Sequence, residues 1–189
     1  MALKWNICVV GPVGTNCYML CDDGRDDCVI VDPGDEAERI REMAGARRIA
    51  AVLLTHGHFD HIAALPDLYE EGMHVYVHAC DADMIMNPET NVSLLFLGVP
   101  QVGVRATHTL ADGDAFSEAG LRFTCIHTPG HTPGSCCYQC GDVMLTGDTV
   151  MGAGIGRTDL PGGSAKQMRD SLRKLSPMLE GKQLLGGHG

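Results

Sequence analysis

The segment Thr55–His61 reads THGHFDH and packs four side chains with metal-binding chemistry, His56, His58, Asp60 and His61, into six residues. It follows directly on the apolar run Arg48–Leu54 (RIAAVLL). Such a run reads as a buried strand, which puts the cluster on the loop at the strand's carboxyl end, where open α/β sheets hold their sites. Imidazole and carboxylate suit divalent ions such as Zn²⁺ at roughly 2.0–2.2 Å. Four ligands this dense are more than one ion uses comfortably, and side chains at alternate positions splay into two coordination shells. Closed structural zinc sites are usually Cys-rich, whereas this cluster is His and Asp only and leaves room for water.

The same local pattern returns three times. Strand-like Leu121–Thr128 runs into TPGHTPGS and His131, Val143–Thr146 runs into Gly147-Asp148-Thr149, and Gln183–Leu185 runs into Gly186-Gly187-His188. Each short apolar segment stops at Gly or Pro and delivers one His or Asp, and ligands on rigid strand ends are placed more accurately than ligands on long loops. Elsewhere Lys4–Val10, Thr15–Cys21 and Asp27–Asp32 read as a meander of strands, Asp35 as the cap of a helix over Glu36–Ala44, Ile62–Glu71 as a helix and His74–His78 as a strand. Asp81–Met86 reads as a short helical turn, Ser135–Cys140 as a strand and Ser164–Leu175 as an amphipathic helix capped by Ser164. Asn91–Leu97 is apolar and is left unassigned. Strands and helices in alternation predict an α/β fold.

The 189 residues fit one domain, 1–189, with no linker or repeat in view. A formal charge of −10 argues against a nucleic-acid partner, because phosphate contacts need clustered Lys and Arg. The amino terminus is apolar but broken by Asn6, Gly11, Pro12, Gly14 and Asn16, so neither a signal core nor a membrane span is expected. Nine scattered cysteines are an odd number and point to a reducing, cytoplasmic setting. Cys136, Cys137 and Cys140 alternate as in a half-buried strand and read as small core residues. His74, His78, His108 and His127 match no ligand pattern and read as surface or core residues, with His127 kept open because it lies four residues before His131.

With these residues in place, the chain resembles the metallo-β-lactamase superfamily, and within it the single-domain glyoxalase II-like hydrolases. The resemblance rests on GPVGTNCY, IVDPGD, THGHFDH, TPGHTPGS, LTGDTV, GIGRTDLPGG and the terminal GGHG, in that order and over nearly the whole chain. It implies a four-layer αββα sandwich of two mixed sheets flanked by helices. It also implies two divalent metal ions: His56, His58 and His131 on the first, Asp60, His61 and His188 on the second, and Asp148 bridging both. Zinc is the default, and the Asp ligands also suit iron or manganese. Two ions about 3.5–4 Å apart can share a water, bring its pKa toward neutrality and polarise a substrate oxygen. Asp60 and Asp148 are the catalytic candidates, Asp60 through orienting that water or moving its proton.

The resemblance also narrows the reaction. The best-known zinc β-lactamases carry Cys at the place of Asp148, and a carboxylate there is similar to thioester and phosphodiester hydrolases, so a small acyl thioester such as S-lactoylglutathione is the expected substrate. A nuclease of the same fold, a persulfide dioxygenase-like iron enzyme and a non-catalytic metal-binding module are the alternatives. Where classical glyoxalase II has Lys and then an aromatic residue to hold glutathione, this chain has Arg157 and Asp159. Arg157 is therefore the substrate-binding candidate, as a bidentate clamp on a carboxylate or as a pin for its own loop. Relatives normally continue beyond GGHG, so the sequence looks clipped, and His188, one residue from its end, is expected to hold the weaker ion because terminal residues fray unless tied down.

Overall fold

The computed structural model describes residues 3–152 and 154–189. Two sheets face each other. The first is formed by β1 (Leu3–Val10), β2 (Thr15–Asp22), β3 (Asp27–Val31), β4 (Arg48–Leu53), β5 (His74–His78) and β6 (His108–Leu110), side by side in that order. The second runs in the spatial order β11 (Gln183–Gly186), β10 (Val143–Gly147), β9 (Cys136–Cys140), β8 (Leu121–His127), β7 (Ala115–Glu118). Both sheets are mixed: β1 to β3 are antiparallel and β3 to β6 parallel, while β11 lies parallel to β10 on an otherwise antiparallel sheet.

Alternation along the strands builds the layers. In β2, Cys17, Met19 and Cys21 face outward and join Ile40 and Ala44 of helix α1 (Ala37–Ala44) and Leu65 and Leu68 of α2 (Leu65–Leu68). Tyr18 and Leu20, pointing the other way, meet Phe123, Cys125, Cys136, Tyr138 and Leu145 of the second sheet. The outer face of that sheet, Ile126, Cys137 and Met144, is covered by Leu175 of helix α4 (Ala165–Leu175). Strands covered on both faces read as near-continuous apolar runs, as Arg48–Leu54 does. The result is the expected αββα sandwich, and Cys136, Cys137 and Cys140 are buried core residues of β9.

Several local expectations are corrected. The helix expected over 62–71 shortens to α2, because Pro66 lacks the N–H that a helix interior needs and is tolerated only in a first turn. Asp35 does not cap α1. Glu36 takes that position at φ 53°, the Asp35 carboxylate accepts from the Glu36 N–H at 2.7 Å, and no side chain caps the helix. Asn91–Leu97 contains a short helix, α3 (Ser93–Leu97). Strands β6 and β7 were not foreseen; they are three and four residues long and mostly exposed or half-exposed. Among the described residues no helix is long and apolar enough to cross a membrane.

Candidate metal centre

Strand ends of both sheets converge on one cleft. The loop after β4 brings His56, His58, Asp60 and His61, the turn after β8 brings His131, and Asp148 and His188 follow just after the ends of β10 and β11. His56, His58, His61 and His131 are each at most 4% exposed. The donor atoms of His56, His58 and His131 lie together, as do those of Asp60, His61 and His188, and Asp148 groups with His56 and His61. His58 Nδ1 is 2.9 Å from His131 Nε2, and His61 Nε2 is 3.3 Å from His188 Nε2. Asp148 reaches both sets, with Oδ2 at 3.4 Å from His131 Nε2 and Oδ1 at 3.6 Å from His61 Nε2. Asp60 Oδ2 lies 3.6 Å from His61 Nε2 and 3.4 Å from His188 Nε2. Ligands about 2.1 Å from a tetrahedral ion stand about 3.4 Å from one another, so these spacings suit shared ions.

Neighbouring oxygens fix which nitrogen of each ring is free. The His131 Nδ1–H donates to the Arg157 carbonyl at 2.7 Å and the His188 Nδ1–H to the Gly14 carbonyl at 3.3 Å. Thr55 Oγ1 donates to Asp32 at 2.7 Å, so it accepts from His56 Nδ1 at 3.1 Å. All three rings therefore turn Nε2 inward and anchor Nδ1 outside, the arrangement usual for histidine ligands. His56 Nε2 and Asp148 Oδ1 are buried without a hydrogen-bond partner. Unsatisfied buried polar atoms are costly, and a metal ion would satisfy both.

The electrostatics agree. Burial by itself favours a neutral His61, but Asp60, Asp32 and Asp148 around it override that and push its pKa up to about 10. The three carboxylates thus favour positive charge at this point of the cleft. Burial, then the neighbouring rings, hold His56 well below the usual histidine range and His58 down to about 3, which favours the neutral form of both, the form a metal ion needs. Asp60 is kept ionised despite its burial, because His61 and His188 face it.

Two carboxylates that the sequence left without a role hold the ligand loops. Asp32, read only as the end of a strand, sits at φ 52°, accepts from the Thr55 N–H at 2.8 Å and approaches His61 Nδ1 at 3.0 Å. Asp81, read only as the start of a turn, is fully buried and accepts from Gly57 N–H (3.0 Å), Thr132 Oγ1 (2.7 Å) and Gly134 N–H (2.6 Å), joining the loops of His56 and His131. The signal for Asp32 was present in IVDPGD; Asp81 had no motif around it. Glycine is needed where backbones crowd: a Cβ on Gly34 would run into the Asp60 carbonyl, and one on Gly187 into the Asp148 carboxylate. His188 is tied down by its neighbours, since Asn16 N–H donates to the Gly187 carbonyl and Gly187 N–H to the Gly147 carbonyl, each at 2.8 Å.

Beside the ligands lies a cavity of about 270 Å³, walled by Val13, Phe59, Val92, Phe96 and Leu160 and reaching Arg157. The Arg157 guanidinium is held bidentately by Asp159 at 2.7 Å on both arms, on the exposed rim.

Residues 10–188 match the family described as the Metallo-beta-lactamase superfamily. The chain belongs to that superfamily. Its probable metallo-hydrolase YqgX from Bacillus subtilis (strain 168) is 36% identical over 194 residues, 99% of this chain and 90% of the relative. Hydroxyacylglutathione hydrolase GloC from Haemophilus influenzae is 31% identical over 92% of this chain and 85% of its own. Among solved structures, BLEG-1 B3 metallo-beta-lactamase superposes with a TM-score of 0.91 at 33% identity, covering 98% of this chain and 92% of that one. TTHA1623 in a di-iron-bound form gives 0.81 at 29%, covering 97% and 92%. The protein is thus a metal-dependent hydrolase of the metallo-β-lactamase superfamily whose His/Asp cluster fits a dinuclear site.

Proposed function

We propose that the cleft hydrolyses a small acyl thioester, as glyoxalase II does, with His56, His58 and His131 holding one divalent ion, Asp60, His61 and His188 a second, and Asp148 spanning both. The observation that carries this reading is the Asp148 carboxylate, which lies 3.4–3.7 Å from histidines of both sets. The relative named hydroxyacylglutathione hydrolase supports the thioester. The ions, zinc by default and iron or manganese otherwise, would supply an activated water at neutral pH and polarise the acyl oxygen.

The chain's own groups do the rest. Asp60, ionised and 3.4 Å from Thr15 Oγ1, is placed to orient a water or take its proton. The apolar wall beside the ligands shields the acyl carbon from bulk water, and Arg157 can leave Asp159 for a substrate carboxylate, since an exposed ion pair of this kind is weakly held.

A second reading, lactam cleavage, is favoured by the likeness to BLEG-1. The test is a panel of S-lactoylglutathione, other small thioesters, lactams, phosphodiesters and a persulfide with oxygen uptake, given to metal-loaded and chelated protein. Thioester turnover that disappears on chelation and returns with metal is expected. Faster turnover of a lactam or a phosphodiester, or oxygen consumption, would replace the thioester reading.

A further inference from the structure

A second group of ligand atoms stands apart from the cleft. His78 ends β5, Cys80 follows two residues later in the helical turn Ala79–Asp81, and His127 ends β8 on the opposite sheet. Their donor atoms all lie within 4.8 Å of one another, and none belongs to the dinuclear cluster. The two imidazoles stack at 3.8 Å between ring centres, 9° from parallel.

Hydrogen bonds orient both rings of this group, and His78 Nδ1 accepts from the Cys80 N–H at 3.3 Å. His127 Nε2 lies 2.9 Å from the Pro133 carbonyl, an oxygen that can only accept, so Nε2 carries the proton and Nδ1 the lone pair. The His127 backbone is itself anchored, its N–H on Asp112 and its carbonyl on Lys174, each at 2.9 Å. His78 is 5% exposed, and burial followed by the adjacent His127 lowers its pKa to about 4, so the ring is neutral at pH 7, and ligation displaces either its contact with the Cys80 N–H or its Nε2 proton. Cys80 is the one exposed cysteine among the described residues.

We propose that His78, Cys80 and His127 form a third, mononuclear site for a zinc-class ion, with water in the fourth position. Two nitrogens and one thiolate around zinc stand about 3.3–3.7 Å apart, and the in-plane lone pairs of the two nearly parallel rings do not yet converge, so binding requires the rings to turn out of their stack and the exposed Cys80 side chain to rotate toward them. Binding replaces the thiol proton of Cys80 with the ion and releases that proton to solvent. A bound ion would brace the turn whose last residue, Asp81, holds both ligand loops of the first set.

The thiolate makes the site separable from the cleft, whose ligands contain no sulfur. Cobalt(II), standing in for zinc, is titrated into the chelator-stripped full chain while the thiolate-to-cobalt charge-transfer absorption in the near ultraviolet is followed. The expected result is a band that saturates with one equivalent in the wild type and is lost in Cys80→Ala, which binds one ion fewer while its hydrolytic activity on a fully loaded cleft is unchanged. His127→Gln, keeping the thiol, should lose the band at the cobalt concentration that saturates the wild type. Absence of the band in wild-type protein, its persistence in Cys80→Ala, or equal ion counts in the two proteins would overturn the site.

Discussion

At the scale of single residues, Asp148 and Asp81 do opposite kinds of work with the same functional group. Asp148 leaves one oxygen buried without a partner and faces both histidine sets. Under the proposed assignment it is the one ligand that two ions share, so Asp148→Ala should release most of both, measured as metal content after dialysis. Protein that keeps one tightly held ion and full activity would end the bridging role. Asp81 has its acceptors filled by three donors from two loops. Asn at that position turns an amide N–H toward one of those donors, so Asp81→Asn should cost about 1–3 kcal/mol in urea unfolding. It should also weaken metal retention by the His56, His58 and His131 set; lower stability with undiminished metal content would confine Asp81 to the scaffold.

Among the elements, most strands were legible whatever their length, β5 and β11 included, while β6, β7 and the short helix α3 were not. Strands β2 to β4 and β8 to β10 carry apolar runs bounded by Gly, Pro and Asp, and their limits fall within a residue or two of those read from the sequence. Ser164 does cap α4, its hydroxyl accepting from the Gln167 N–H at 3.3 Å, so Ser164→Ala should cost about 1 kcal/mol, measured by thermal unfolding. The residues that gather in the cleft were legible as a group because each sits where a strand meets a Gly or Pro turn. Asp81 and the pairing of His78 with His127 were not, because their roles depend on contacts between residues 24 to 53 positions apart that no local pattern encodes. His78 gives a pH test of this element. Its folded pKa is lowered, so the unfolded chain binds its proton more readily and the stability tied to the neutral ring, complete above about pH 6.5, is lost as pH falls toward 4. In metal-free protein His78→Gln should flatten the unfolding free energy across that window; an unchanged slope would place its origin elsewhere.

For the molecule as a whole, the cleft is where the two sheets are joined by chemistry as well as by packing. His56, His58, Asp60 and His61 come from the first sheet, while His131, Asp148 and His188 come from the second. Ions held between them would cross-link the sandwich at that end, and the binding free energy adds to folding because the unfolded chain has no such site. Without ions, His56 Nε2 and Asp148 Oδ1 stay unsatisfied and three carboxylates crowd the His61 ring. At metal one hundred times above its dissociation constant, each site contributes about 2.7 kcal/mol. For a chain of 150–250 residues that is about 5–11 °C in Tm per ion. Calorimetry should therefore show a lower Tm after chelation that recovers on adding metal, with a smaller drop in Asp148→Ala. Identical melting of loaded and chelated wild-type protein would mean that the sheets stay docked through packing alone and that the ions, if bound, add nothing to the fold.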